Sequence, residues 1–178
     1  QFPEIHKVRC LNHTSETSYL APGNVTIVVI PDIQNKNVFD IYQPRLSKAT
    51  LNKVQNYINQ LNSLHINTIV INPEYEEVEI SLKVKFRPGY DENYYQKVLN
   101  EDLTKFLSPW AFEKSVDLQF GTTLHKSIII NYIEKLKYVD FITDLQIKHQ
   151  GELKTSIVPS NPKAILVSAK QHKISSLQ

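Results

Sequence analysis

Side chains able to do chemistry are sparse in this sequence, and their spacing limits what they do. His6, Cys10 and His13 are the best metal candidates. A structural zinc site takes four thiolate or imidazole ligands, and on an extended strand His13 faces away from His6 and Cys10, because successive side chains alternate between faces. The simpler reading is a polar arm with a small buried thiol. His125 has Ser127 beside it, but no Gly-x-Ser-x-Gly elbow surrounds that serine. A helix-start pair of capping or solvated groups is therefore expected, not a nucleophile and its base. Glu74, Glu76, Glu77 and Glu79 form the densest acidic group. Paired carboxylates do acid–base work or hold a hard cation. Here they lie at a turn and on a strand's wet face with Lys83, Lys85 and Arg87, which is the pattern of a solvated charge ladder.

Phosphate-cradling loops and dinucleotide fingerprints need several glycines within a few residues. The chain has four, Gly23, Gly89, Gly121 and Gly151, too far apart for either. Tyr90, Tyr94, Tyr95 and Trp110 remain. Aromatics bounding a helix usually pack into a core or its rim, but Tyr and Trp also anchor protein interfaces, so these four are the candidate interface residues. No catalytic residue, cofactor or metal is assigned.

The elements that hold these residues follow from hydrophobic periodicity. Residues 69–86 organise the chain: an apolar run Ile69-Val70-Ile71, a break at Asn72-Pro73, then strict alternation of Val78, Ile80, Leu82, Val84 and Phe86 against polar residues. That alternation is a long strand with one dry and one wet face. Residues 25–30 are apolar on both faces apart from Thr26 and predict a central strand. Residues 7–11 alternate weakly and predict an edge strand before the turn Ala21-Pro22-Gly23. Residues 35–44 read as a loop. Ser47 is placed as the N-cap of a helix over 48–64, with Leu51, Val54, Ile58, Leu61 and Leu64 inward. Asp91 is placed as the cap of a second helix that stops before Pro109. A connection with one short strand spans 110–120. Thr122 or Thr123 is placed as the cap of a third helix bearing Ile129, Ile133 and Leu136, with strands following over 141–148 and 164–169.

This order predicts an α+β fold: a mixed sheet with helices on one face, a ferredoxin-like βαββαβ core plus an added helix and C-terminal strands, with 25–30 and 78–86 central. The expected domains are an arm or edge strand over 1–23, continuing from a missing upstream region, and a single α+β domain over 24–178. A chain of 178 residues is large enough to bury such a core. The net charge of +2, with both signs interspersed, argues against a nucleic-acid platform or an anionic lipid partner. No apolar run reaches the roughly 18 to 20 residues that span a bilayer. Cys10 is the only cysteine, which excludes a disulfide framework and favours a reducing compartment. Asn12-His13-Thr14 and Asn24-Val25-Thr26 match the glycosylation triplet but are read as chance. The chain opens on Gln1 and contains no Met, as expected of a processed chain or a fragment.

Longer runs carry a resemblance. Residues 5–14 (Ile-His-Lys-Val-Arg-Cys-Leu-Asn-His-Thr), Pro22-Gly23-Asn24-Val25 leading into Val28-Val29-Ile30-Pro31-Asp32, Asn72-Pro73-Glu74-Tyr75, Phe86-Arg87-Pro88-Gly89-Tyr90-Asp91, Phe106-Leu107-Ser108-Pro109-Trp110-Ala111, Phe120-Gly121, Ser127, and Ile165-Leu166-Val167-Ser168-Ala169 with His172 together resemble the C-terminal part of baseplate J-like wedge proteins. These belong to contractile phage tails and related bacterial injection systems. The resemblance implies a noncatalytic structural subunit. It would assemble in the cytoplasm, then form part of the particle's baseplate, packing against other wedge subunits and copies or paralogues of itself. The alternative is a ferredoxin-like small-ligand-binding or regulatory domain. A hydrolase built on residues 74–79 or His125 rests on isolated residues only.

Overall fold

The structure, a computed structural model, describes residues 1–15, 17–33, 40–63, 65–113, 116 and 118–177. The expected inward position of Leu64, residues 35–39 of the expected loop, and residues 114, 115 and 117 of the 110–120 connection lie outside the described residues. The chain divides into two compact units, Gln1–Glu74 and Tyr75–Gln178.

The first unit contains β1 (Ile5–Asn12), β2 (Asn24–Pro31), α1 (Lys48–Leu61) and β3 (Asn67–Ile71). The sheet order is β1-β2-β3, with β1 antiparallel and β3 parallel to β2. A parallel pair needs a crossover between its strands, and α1 supplies it. β2 is central, as its two-sided apolar sequence predicts: Val28, Val29 and Ile30 are fully buried. Its one buried polar side chain, Thr26, donates from Oγ1 to the Thr14 carbonyl at 2.8 Å. Ser47 caps α1 by accepting from the Thr50 N–H at 3.2 Å. Val54 packs with Val29 and Val70, flanked by Leu51 and Ile58. Leu61 is 70% exposed, not inward, because α1 ends there and Asn62 caps it. Cys10 is likewise exposed, not buried. β1 is an edge strand, and His6, Val8, Cys10 and Asn12 all lie on its outward parity.

The second unit is built on β4 (Glu74–Phe86), which starts at the boundary. After it come α2 (Glu92–Leu107), a 3-10 turn (Pro109–Ala111), β5 (Leu124–His125), α3 (Lys126–Glu134), β6 (Val139–His149), β7 (Glu152–Lys154), β8 (Ser156–Ile157), β9 (Ala164–Ser168) and β10 (Lys173–Ser176). The main sheet runs β10-β4-β6-β7, with β9 also paired to β4, while β5 and β8 form a two-stranded ribbon. Val78, Ile80, Leu82, Val84 and Phe86 form the dry face, packed with Leu99 and Leu103 of α2 and Ile129 and Ile133 of α3. Asp91 caps α2 through the Tyr94 N–H at 2.8 Å, and the helix stops at Ser108, before Pro109.

The α+β class is as predicted, but the single ferredoxin-like sheet is not formed. β2 and β4 are interior strands of two different sheets. Asn72 ends β3 because its side-chain amide is tied to Leu46, accepting from its N–H at 2.8 Å and donating to its carbonyl at 2.9 Å. Pro73 then has no N–H for a ladder. Beyond it, β4 is thirteen residues long and finds its own partners. Thr122 and Thr123 do not cap α3. The chain passes first through β5, where Leu124 opposes Ile157, and His125 holds the N-cap position without a side-chain bond. No strand occurs among the described residues of 110–120, where the 3-10 turn stands instead. β10 carries little apolar periodicity, yet pairs in parallel with residues 81–84 of β4.

β6 crosses β4 antiparallel through a bulge. Ser81 opposes Gln146 but Lys83 opposes Thr143, so β6 holds one extra residue. Asp144 takes up that residue at φ 53°, a left-handed value Asp tolerates better than most side chains, and its carboxylate meets Lys83 Nζ at 2.9 Å. The bulge puts Leu145, Ile147 and His149 on the same buried face as Val78 and Ile80.

Candidate functional site

The predicted interface residues fall at two ends of one helix. Tyr90, Tyr94 and Tyr95 surround the start of α2. Tyr95 meets Tyr90 edge-on at 4.8 Å and Tyr94 edge-on at 5.1 Å between centroids, and it lies 4.9 Å from the Tyr138 ring. Tyr94 is the outermost of the three, 61% exposed. Beneath them, Tyr138 donates to the Asp102 carboxylate at 2.7 Å. Burial, followed by that bond, raises its phenol far above the ordinary range, so it stays a neutral donor.

Trp110 lies beyond the other end of α2, a sixteen-residue helix about 24 Å long at 1.5 Å per residue. Its indole is 8% exposed, and Nε1 has no acceptor among the described residues. It lines an apolar pocket of ≈ 270 Å³, together with Phe106, Leu107, Pro109, Leu124 and Leu166, with Gln119 and Thr122 as polar members. Ser108 fixes the turn that carries Trp110: its Oγ accepts from the Ser168 N–H at 2.9 Å, and its carbonyl accepts from the Ala111 N–H at 3.1 Å.

Glu76 departs from the expected charge ladder. It is 8% exposed because it continues the inward parity of β4 by one step beyond Val78. His149, opposite Val78, donates from Nε2 to a Glu76 carboxylate oxygen 2.8 Å away. The Ser160 N–H donates to the same carboxylate at 3.2 Å, and the Ser160 hydroxyl bonds it too. The carboxylate thus ties the 159–162 turn to β4 and β6. Of the other members, Glu79 meets Lys173 of β10 at 2.7 Å, a bond that holds its carboxyl below the usual range, and Lys83 meets Asp144 of β6, whereas Lys85 Nζ and Arg87 Nε donate to the Leu177 and Val139 carbonyls.

A second buried histidine closes the C-terminal strands onto β4. His172 Nδ1 accepts from the Ile80 N–H at 3.2 Å, so the ring proton resides on Nε2 and points to Ser168 Oγ at 3.2 Å. Ser168 in turn donates to the Ala169 carbonyl at 2.8 Å. The His172 N–H donates to Asn100 of α2 at 2.9 Å. Burial lowers the His172 pKa to about 4, against a smaller opposing pull from Glu79. Ser168 and His172 resemble a nucleophile and its base in type alone. The imidazole lone pair is already used by a backbone N–H, and the hydroxyl proton is committed to a carbonyl. Sequence spacing alone did not pick out His149 or Glu76. The available signal was parity, since each extends an alternating apolar series by two residues.

His125 and Ser127 are exposed. His6 and Cys10 share the outer face of β1, while His13 sits in the following turn at φ 56°. Among the described residues, no three His, Cys, Asp or Glu side chains are grouped to hold a metal ion.

Fold and sites together define an α+β protein whose interior ionisable groups join strands to strands. The chain belongs to the PVC11-like baseplate protein family, whose family model matches residues 1–169. Among solved structures it is similar to a chain in the cryo-EM structure of the anti-feeding prophage (AFP) baseplate, 6-fold symmetrised, with a TM-score of 0.70 and 21% identity. That likeness covers 94% of this chain and 34% of the other, so the chain spans about a third of the solved chain's length and shares its fold there. No curated protein matches.

Proposed function

We propose that this chain is a noncatalytic structural part of a baseplate wedge of J-like type, in a contractile phage tail or injection particle, and that it works through protein–protein contacts. The observation that carries the reading is the family match over residues 1–169. Its partners are other wedge subunits and copies or paralogues of itself, met during assembly in the cytoplasm and held afterwards in the finished baseplate. The interior supports this reading physically: His172 Nδ1 and His149 Nε2 are both engaged in holding β4 to its neighbours. The tyrosine group at the start of α2, with Tyr94 outermost, is the surface we assign to assembly contacts. The alternative of a ferredoxin-like ligand domain loses its fold premise, since its two central strands occupy different sheets.

Co-expression of the full chain with the other baseplate proteins of its particle tests the proposal. Incorporation at fixed stoichiometry is the expected result. A folded chain that never enters a baseplate would refute it.

A further inference from the structure

We infer that β10 is an exchangeable strand: within the assembly, residues 173–176 of one copy of this chain pair with β4 of a neighbouring copy, in the place each chain's own β10 holds when it is alone. The inference rests on the assembly reading and names the segment that links copies. It starts from a break in one edge of the main sheet. The Ala169 N–H donates to the Val78 carbonyl at 3.0 Å, and Lys173 lies opposite Ser81, so four steps along the C-terminal run match three along β4. Lys170 and Gln171 are exposed in that gap, and the Ile80 N–H inside it is met by the His172 ring, not by a backbone carbonyl. β9 and β10 are thus two separate fastenings on β4, joined by an exposed two-residue link.

The two fastenings differ in kind. Four of the five residues of β9 are buried. β10 alternates exposed and half-buried residues and has one apolar side chain, Ile174. Polar contacts hold the rest: Lys173 Nζ meets Glu79 at 2.7 Å, Ser176 Oγ bonds the Glu92 carboxylate, and the Leu177 N–H donates to the Val84 carbonyl at 2.8 Å. A four-residue parallel pairing secured by an exposed ion pair contributes little stability, so β10 opens well before the domain unfolds. What it leaves on β4 is not inert. Leu82 and Val84 belong to the core, and the main chain of residues 81–84 becomes an unpaired edge, which binds another strand. The strand that fits this edge is β10 itself. In a second copy β10 finds the same register, the same Glu79 and the same Glu92, so exchange conserves each bond and changes only the chain that supplies it.

Lys83 and Ser175 are exposed and opposed across β4 and β10, so a cysteine pair there reports which β10 lies on which β4. The full chain carries Lys83→Cys, Ser175→Cys and Cys10→Ser. It is oxidised with copper–phenanthroline, either alone or after purification within co-expressed baseplates. Alone, it should close an internal disulfide and run as a monomer on a non-reducing gel. From baseplates it should run as disulfide-linked chains. Ser81 and Lys173, also opposed, give a second pair should the first variant fail to fold. Internal disulfides or free thiols in chains taken from baseplates overturn the exchange and leave the assembly reading intact. A wild-type chain that never enters a baseplate overturns both.

Discussion

Acidification should unlock the C-terminal strands from β4 through His172. The folded ring is neutral, with a pKa of about 4, whereas the unfolded ring titrates near its ordinary value of 6.5. As pH falls, the unfolded chain takes up the proton first. The stability from the neutral ring is therefore complete above about pH 6.5, declines from there, and is exhausted near pH 4. At 1.36 kcal/mol per pH unit the whole interval is worth about 3 kcal/mol, and about 2 kcal/mol of it is lost between about pH 7 and pH 5. The physical event is specific. Protonating Nδ1 turns the acceptor of the Ile80 N–H into a second donor facing it, in a site that also holds Ser168 and Asn100. Denaturant unfolding of wild type and His172→Gln at the two pH values isolates the effect, because the two proteins differ only at that ring. The variant starts less stable but should lose about 2 kcal/mol less on acidification. Amide exchange at Ile80 supplies a local readout and should accelerate at pH 5 in wild type. Equal pH slopes for the two proteins, with Ile80 protection unchanged, would refute the reasoning.

Glu76→Gln should cost about 2 kcal/mol in denaturant unfolding, because an amide cannot accept from His149 and both Ser160 donors as the carboxylate does. Ile147→Ala removes a fully buried side chain opposite Ile80 and should cost about 3 to 4 kcal/mol in the same assay. Asp91→Ala takes away the α2 cap and should lower stability by about 1 kcal/mol, with helical circular dichroism otherwise retained. Tyr94→Ala should change stability by less than about 0.5 kcal/mol, since the ring is mostly exposed, yet reduce incorporation into co-expressed baseplates.

The local elements are legible in the order of residues. Alternation gave β4 its dry face, two-sided apolarity made β2 central, and Ser47, Asp91 and Pro109 set helix ends. These depend on residues a few positions apart, so periodicity and capping chemistry read them directly. Partner choice was decided only in three dimensions. Nothing local shows that Asn72 is bound by Leu46, which separates β3 from β4, or that four near-featureless residues at 173–176 pair with β4. The buried polar sites have the same origin. Glu76 shares the inward parity of Val78, but so does the exposed Glu74, and only the register that brings His149 and Ser160 within hydrogen-bond distance makes Glu76 the interior one. A carboxylate enters a core when donors meet it there, and those donors lie 73 and 84 residues away along the chain.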